Sequence, residues 1–149
     1  MSIKDQLMRD LQEAMRGGDE LRKSTIRMAR SAIKNAEISR MGELDDAGVQ
    51  EVLRKEIKQR RESAEEYARG GRADLADKES AEAALLESYV PGEMSEEEIA
   101  AEVRAIIAEV GASGPKDMGK VMPAAMARLR GRADGRAINQ VVARLLSGG

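Results

Sequence analysis

The stretch Ser95-Glu96-Glu97-Glu98-Ile99-Ala100-Ala101-Glu102-Val103-Arg104-Ala105-Ile106-Ile107-Ala108-Glu109-Val110-Gly111 decides the fold. Ser95 with Glu98 three positions on is the pattern of a capping box, in which the hydroxyl takes up a free amide proton at a helix start. Three carboxylates in the first turn meet the positive end of the helix dipole. Ile99, Val103, Ile106, Ile107 and Val110 then recur on one stripe until Gly111 stops the helix. Two further stripes follow, one of Met118, Val121, Met122, Ala125, Met126 and Leu129, the other of Ile138, Val141, Val142, Leu145 and Leu146. Three short amphipathic helices can share one small core, so residues 95–149 are expected to form a three-helix domain.

Working back toward the N-terminus, Pro91-Gly92 can neither continue a helix nor cost much in a turn, and residues 91–94 read as a linker. Residues 1–90 read as about four helices. Ser2 caps the first, which buries Ile3, Leu7, Leu11 and Ala14 and ends at Gly17-Gly18. Asp19 caps a second that runs to about Arg40 with Leu21, Thr25, Met28, Ala32 and Ala36 inward. A third, from about Ala47 to Arg69, turns Val49, Leu53, Ile57, Ala64 and Tyr67 inward, and a fourth carries Leu75, Glu79, Ala83, Leu86 and Val90. The expected fold class is all-α, an N-terminal bundle of about four helices joined to a small C-terminal three-helix domain.

Composition removes most chemistry. The chain has 149 residues, with 42% apolar and 35% charged side chains, and contains no Cys and no His. Thiolate nucleophiles, thiolate metal sites and the commonest proton-transfer side chain are therefore absent. No catalytic residue, metal site or cofactor is expected; Glu96, Glu97 and Glu98 serve as a cap and not as a Mg²⁺ site. There is no apolar run long enough to cross a membrane and no secretory leader, which gives a cytoplasmic expectation.

Charge is segregated along the chain. Residues 115–149 hold seven Lys or Arg against Asp117 and Asp134, while residues 95–114 hold five Glu against Arg104. A basic terminal segment on an otherwise acidic chain suits a polyanion. Lys116, Lys120, Arg128, Arg132 and Arg136 are the candidate contacts, gathered near two helix starts and a short loop where free amide groups add to their charge. Gly114 to Val121 is one hydroxyl short of a phosphate-binding loop and follows a helix instead of a strand, so nucleotide hydrolysis is not expected. Pro123 interrupts the sixth helical stripe, and the regular helix is expected to begin near it, with Gly119 allowing close backbone approach.

A secondary basic ridge, Lys23, Arg27, Arg30 and Lys34, steps along one face of the second helix; Arg54, Lys58 and Arg61 do the same on the third. Such ridges serve most simply as solvated faces. With Tyr67 and Tyr89 the only aromatic residues, base stacking is unavailable, and RNA would be held through phosphates, 2′-hydroxyls and shape.

The runs Lys55-Glu56-Ile57-Lys58-Gln59-Arg60-Arg61-Glu62-Ser63-Ala64-Glu65-Glu66-Tyr67, Gly70-Gly71-Arg72 with Asp74-Leu75-Ala76 and Glu79, and Leu86-Glu87-Ser88-Tyr89-Val90-Pro91 carry a resemblance. So do Met118-Gly119-Lys120-Val121-Met122 and Gly131-Arg132-Ala133-Asp134-Gly135. Across nearly the whole chain they resemble the YqeY family. That family is related to the tail of the B subunit of the glutamine-dependent aspartyl/glutamyl-tRNA amidotransferase. The resemblance implies a longer-helix N-terminal domain, a three-helix tail, and tail positions for RNA contact at Gly119, Lys120, Gly131, Arg132 and Arg136. Pro123 departs from the Gly or Lys expected there.

The resemblance also implies carbon-nitrogen ligation with glutamine as amido donor, yet the enzyme's amidase and activation machinery has no counterpart in this sequence. The leading expectation is a tRNA-binding accessory module, free-standing or beside an amidotransferase or a tRNA synthetase. The alternatives are an amidotransferase acting within a complex, and a helical protein-interaction adaptor. No membrane or DNA partner is expected.

Overall fold

Hydroxyl and carboxylate caps at one end, and αL residues at the other, set most of the helix boundaries. The computed structural model describes residues 1–148. Its elements are α1 (Ile3–Gly17), α2 (Glu20–Arg40), α3 (Asp46–Arg69), α4 (Ala73–Glu87), α5 (Glu96–Val110), a 3-10 turn (Pro115–Asp117), α6 (Met118–Leu129) and α7 (Gly135–Leu146). Among the described residues there is no strand, and the chain is all-helical as expected. It divides into two compact units, Met1–Pro91 and Gly92–Gly149.

In the first unit Ser2 accepts the Asp5 amide and Asp19 the Arg22 amide, each satisfying a donor that a helix start leaves orphaned. Gly18, at φ 69°, closes α1 in the left-handed region. Lys4 at the start of α1 meets Glu37 near the end of α2, and Arg22 meets Asp10 and Glu13. The two helices therefore run antiparallel. Leu7, Ile26, Val49, Leu53 and Leu86 are wholly buried in the core they share with α3 and α4. Each such side chain contributes about 1.5–3 kcal/mol relative to exposure.

The second helix has its core face one step round from the stripe expected. Ile26, Ala29 and Ile33 join Thr25 in the interior, while Leu21 and Met28 are exposed and Ala32 and Ala36 only half-buried. Both sets have helical spacing; the set that holds the branched side chains of Ile26 and Ile33 is the one clustered with Leu7 and Leu53. Tyr67, expected inward, is exposed, and the inward positions of α3 include Arg60 instead. Arg60, 5% exposed, donates from Nε to Glu82 at 3.0 Å and from Nη1 to the Glu56 carboxylate at 3.1 Å. In α4 the buried residues are Ala76, Glu82, Ala83 and Leu86, and the helix ends at Glu87, short of Pro91.

In the second unit Ser95 Oγ accepts the Glu98 amide at 3.1 Å, Gly111 closes α5 at φ 70°, and Asp134 caps α7 by accepting the Ala137 amide at 2.8 Å. Ile99, Val103, Ile106, Val121, Leu129, Ile138, Val141 and Val142 form its core. Here α6 departs from expectation: it is regular from Met118, so Pro123 lies inside it. The lead-in is fixed beforehand, because Asp117 accepts the Ser113 amide at 2.7 Å and its hydroxyl at 3.3 Å. Buried Val121 and half-buried Met118 and Met122 then hold the first turns by packing, against the loss of one backbone bond at Pro123.

Two outcomes check this picture. Glu82→Ala leaves Arg60 buried with only Glu56, and is expected to cost about 3 kcal/mol in urea unfolding, whereas the paired change Arg60→Met/Glu82→Leu costs far less. Met41, 92% exposed, occupies the left-handed cap of α2 at φ 59°, so Met41→Gly should raise stability by about 1 kcal/mol in the same urea titration.

Candidate nucleic-acid interface

The basic C-terminal segment is partly neutralised by the acidic helix before it. Arg128, on α6, donates to Glu109 of α5 at 2.6 Å and lies 3.9 Å from Glu102. Arg144, on α7, lies 3.9 Å from Glu96. The charge that is separated along the chain is thus brought back together across α5, and Arg128 is committed to an internal pair.

Lys116 on the 3-10 turn, Arg132 in the α6–α7 loop and Arg136 in the first turn of α7 are exposed and have no carboxylate partner among the described residues. Lys120 is exposed and 3.9 Å from Asp117. Gly131, at φ +79°, is buried and sets the left-handed step of the loop. The Arg132 amide then donates to Leu129 O at 3.0 Å, and the Arg132 carbonyl accepts the Met94 amide at 3.3 Å. The side chain of Arg132 is therefore presented from a backbone fixed at both of its polar groups.

These cations fall into two groups and not one. Lys116 and Lys120 stand at the start of α6, Arg132 and Arg136 beyond its end, and a helix of 12 residues spans roughly 18 Å. A single phosphate cannot bridge them, whereas separate phosphates of a folded RNA can. Gly119 is exposed, and a Cβ added there meets nothing within 4 Å, so no close approach within the chain requires a glycine. Asp117 sits beside Lys120 with its carboxyl held below the ordinary range, first by the Ser113 amide and then by the Lys120 charge.

The ridge on α2 has a different setting. Lys23 pairs with Glu20 at 3.0 Å, while Arg27, Arg30 and Lys34 line an open groove of about 590 Å³ with Lys4, Leu7 and Glu37. Glu37 bonds to Lys4 and accepts the Leu44 amide at 2.8 Å, and these bonds lower its pKa. Its hydrogen bonds are thus directed away from the ridge, of which only Lys34 feels its charge. On α3, Arg54 donates to the Pro91 carbonyl at 2.8 Å and Arg61 to Glu87 at 2.8 Å. The ridge spacing was readable from the sequence; its position on a groove wall needed the antiparallel pairing of α1 with α2.

These elements define an all-helical protein whose candidate contact cations lie at the two ends of α6 and along one face of α2. It belongs to the YqeY family: the family model described as Yqey-like protein matches residues 4–146, and the resemblance carried by the motifs is borne out.

Relatives include proteins named "Altered inheritance of mitochondria protein 41, mitochondrial". One from Lachancea thermotolerans is 39% identical over 113 residues, covering 73% of this chain and 60% of the relative. One from Kluyveromyces lactis is 40% identical over 112 residues, with the same coverage of 73% and 60%. One from Saccharomyces cerevisiae is 38% identical over 82 residues, covering 54% and 44%. The matched region thus spans at most about 60% of the length of these relatives. Their names correct the cytoplasmic expectation, since they are called mitochondrial. Among the described residues no helix is long and apolar enough to cross a membrane, and that trait does not distinguish the cytoplasm from the interior of an organelle.

The lowered pKa of Asp117 gives a pH-dependent outcome. Its bonds stabilise the fold fully above the unfolded carboxyl value, about 3.9, and the contribution is lost as pH falls through the lower folded value. Asp117→Asn should therefore lower Tm at pH 7, and the gap from the parent should close below about pH 4. A gap that stays constant across a thermal-melt series from pH 7 to pH 3 would show that the carboxylate charge is not what anchors the turn.

Proposed function

We propose that the chain is a tRNA-binding accessory module related to the amidotransferase tail, without a catalytic centre of its own. In this reading residues 1–90 form a four-helix domain, 91–94 a linker, and 95–149 the tail-like domain that touches RNA. It works free-standing or beside an amidotransferase or a tRNA synthetase. The observation that carries the reading is the set of exposed cations Lys116, Arg132 and Arg136, without a carboxylate partner among the described residues, together with Lys120, at the two ends of α6. Their spacing of roughly 18 Å suits separate phosphates of a folded backbone. The scarcity of aromatic residues favours folded RNA over single strands. Arg128 takes a supporting part, holding α6 against α5.

Binding of the full chain to total tRNA and to duplex DNA across a salt series tests this. The triple change Lys120→Glu/Arg132→Glu/Arg136→Glu should weaken tRNA binding about tenfold or more and reduce the salt slope by about one for each phosphate no longer held. DNA should bind more weakly than tRNA throughout. Unchanged tRNA affinity in the triple variant would remove this surface from the reading, and glutaminase turnover by the purified chain would favour the amidotransferase alternative.

A further inference from the structure

The groove between α1 and α2 has a composition that the RNA reading does not use. Between Leu21 and Ala36 the second helix carries five cations, Arg22, Lys23, Arg27, Arg30 and Lys34, and no carboxylate. Of these, Arg22 and Lys23 are paired with Asp10, Glu13 and Glu20. Arg27, Arg30 and Lys34 form no direct ion pair among the described residues, Lys34 feeling only the charge of Glu37, and they stand on one wall of the groove, across roughly 10 Å of helix.

On the α1 side the groove is lined by Lys4, whose charge is taken up by Glu37, and by Leu7. Met8 and Met15 on α1 are 40% and 53% exposed, seven residues apart, and therefore on one face with Lys4. The Arg27 guanidinium lies 3.9 Å from the Met15 sulfur, so the two walls meet at that end. Leu7 and Ile33 form the floor. The single carboxylate of the groove, Glu37, is taken up by Lys4 and the Leu44 amide. An exposed thioether gains nothing from a phosphate, but it packs adaptably against apolar side chains.

We infer that this groove docks an amphipathic acidic helix of a partner protein. The helix lays an apolar stripe along Met8 and Met15 and sets carboxylates against Arg27, Arg30 and Lys34. Two antiparallel helices present a trough into which a third fits, reading i, i+3 or i+4 and i+7 positions over two turns. Charge complementarity selects the acidic occupant, and the methionines separate it from a nucleic acid.

The test uses the full chain and a fluorescein-labelled peptide of about 16 residues, ~24 Å as a helix, with Leu at helical spacing and Glu beside each Leu. A shuffled peptide of the same composition and a short RNA duplex serve as comparisons. The amphipathic peptide should bind about tenfold more tightly than the shuffled one. Arg27→Glu/Arg30→Glu/Lys34→Glu should abolish that binding, and Met8→Ser/Met15→Ser, at exposed positions, should weaken it about threefold or more with the far-ultraviolet circular dichroism unchanged. Reversal of Lys120, Arg132 and Arg136 should leave it intact, which keeps this outcome separate from that of the RNA surface. Equal affinity for the shuffled peptide, indifference to the methionine changes, or duplex RNA binding abolished only by reversal of Arg27, Arg30 and Lys34 would each overturn the assignment.

Discussion

The ion pair between Arg60 and Glu82 is the constraint on which the first unit depends. The fourth helix offers few large apolar groups to its neighbours: apart from Leu86, its buried hydrophobic positions are Ala76 and Ala83. Small side chains allow close approach but specify register weakly. A guanidinium and a carboxylate, each about 6% exposed at the side chain, cannot slide past one another without leaving a charge uncompensated. They hold α4 against α3 at one alignment, with Arg61 and Glu87 adding an exposed pair nearby. From that alignment Leu86 enters the core beside Leu53, and Tyr89 reaches the Asp10 carboxylate on α1.

Helices with one dominant stripe and side-chain caps were legible in the sequence. Ile3, Leu7, Leu11 and Ala14 in α1, and Ile138, Val141 and Val142 in α7, are buried as their spacing requires. The second helix was not so readable, because Leu21 to Met28 and Ile26 to Ile33 have the same period and differ only in phase. Phase is decided by what lies opposite, and periodicity holds no record of that. Arg60 was hidden for a related reason: within a run of charged residues nothing local marks the one whose partner is 22 positions away. Pro123 shows propensity overridden by tertiary packing, with the Ser113–Asp117 bonds preparing the turn that precedes it.

The cations of the C-terminal segment were legible as residues but not as a surface. Counting charge along the chain gives Arg128 the same weight as Arg132, whereas in space Glu109 and Glu102 claim Arg128 and leave Arg132 exposed. The length of α6 then divides the remainder into two groups. On α2 the reverse holds. A ridge that composition treats as a solvated face becomes a groove wall once α1 lies antiparallel to it, because Glu37 turns its hydrogen bonds to Lys4 and Leu44 and leaves Arg27, Arg30 and Lys34 without a direct ion pair among the described residues.

Both tyrosines, Tyr67 and Tyr89, lie in the unit Met1–Pro91, and the chain has no Trp or Phe. The unit that follows is therefore optically silent in the near ultraviolet. Tyr89 is partly buried and donates to the Asp10 carboxylate, with burial first and that bond second raising its pKa, while Tyr67 stands in solvent. An intrinsic emission or near-ultraviolet dichroism signal thus reports on the first unit alone, while peptide absorption reports on both. A single preparation, unmodified and unlabelled, carries two separable spectroscopic channels through which the melting of one half can be distinguished from that of the whole.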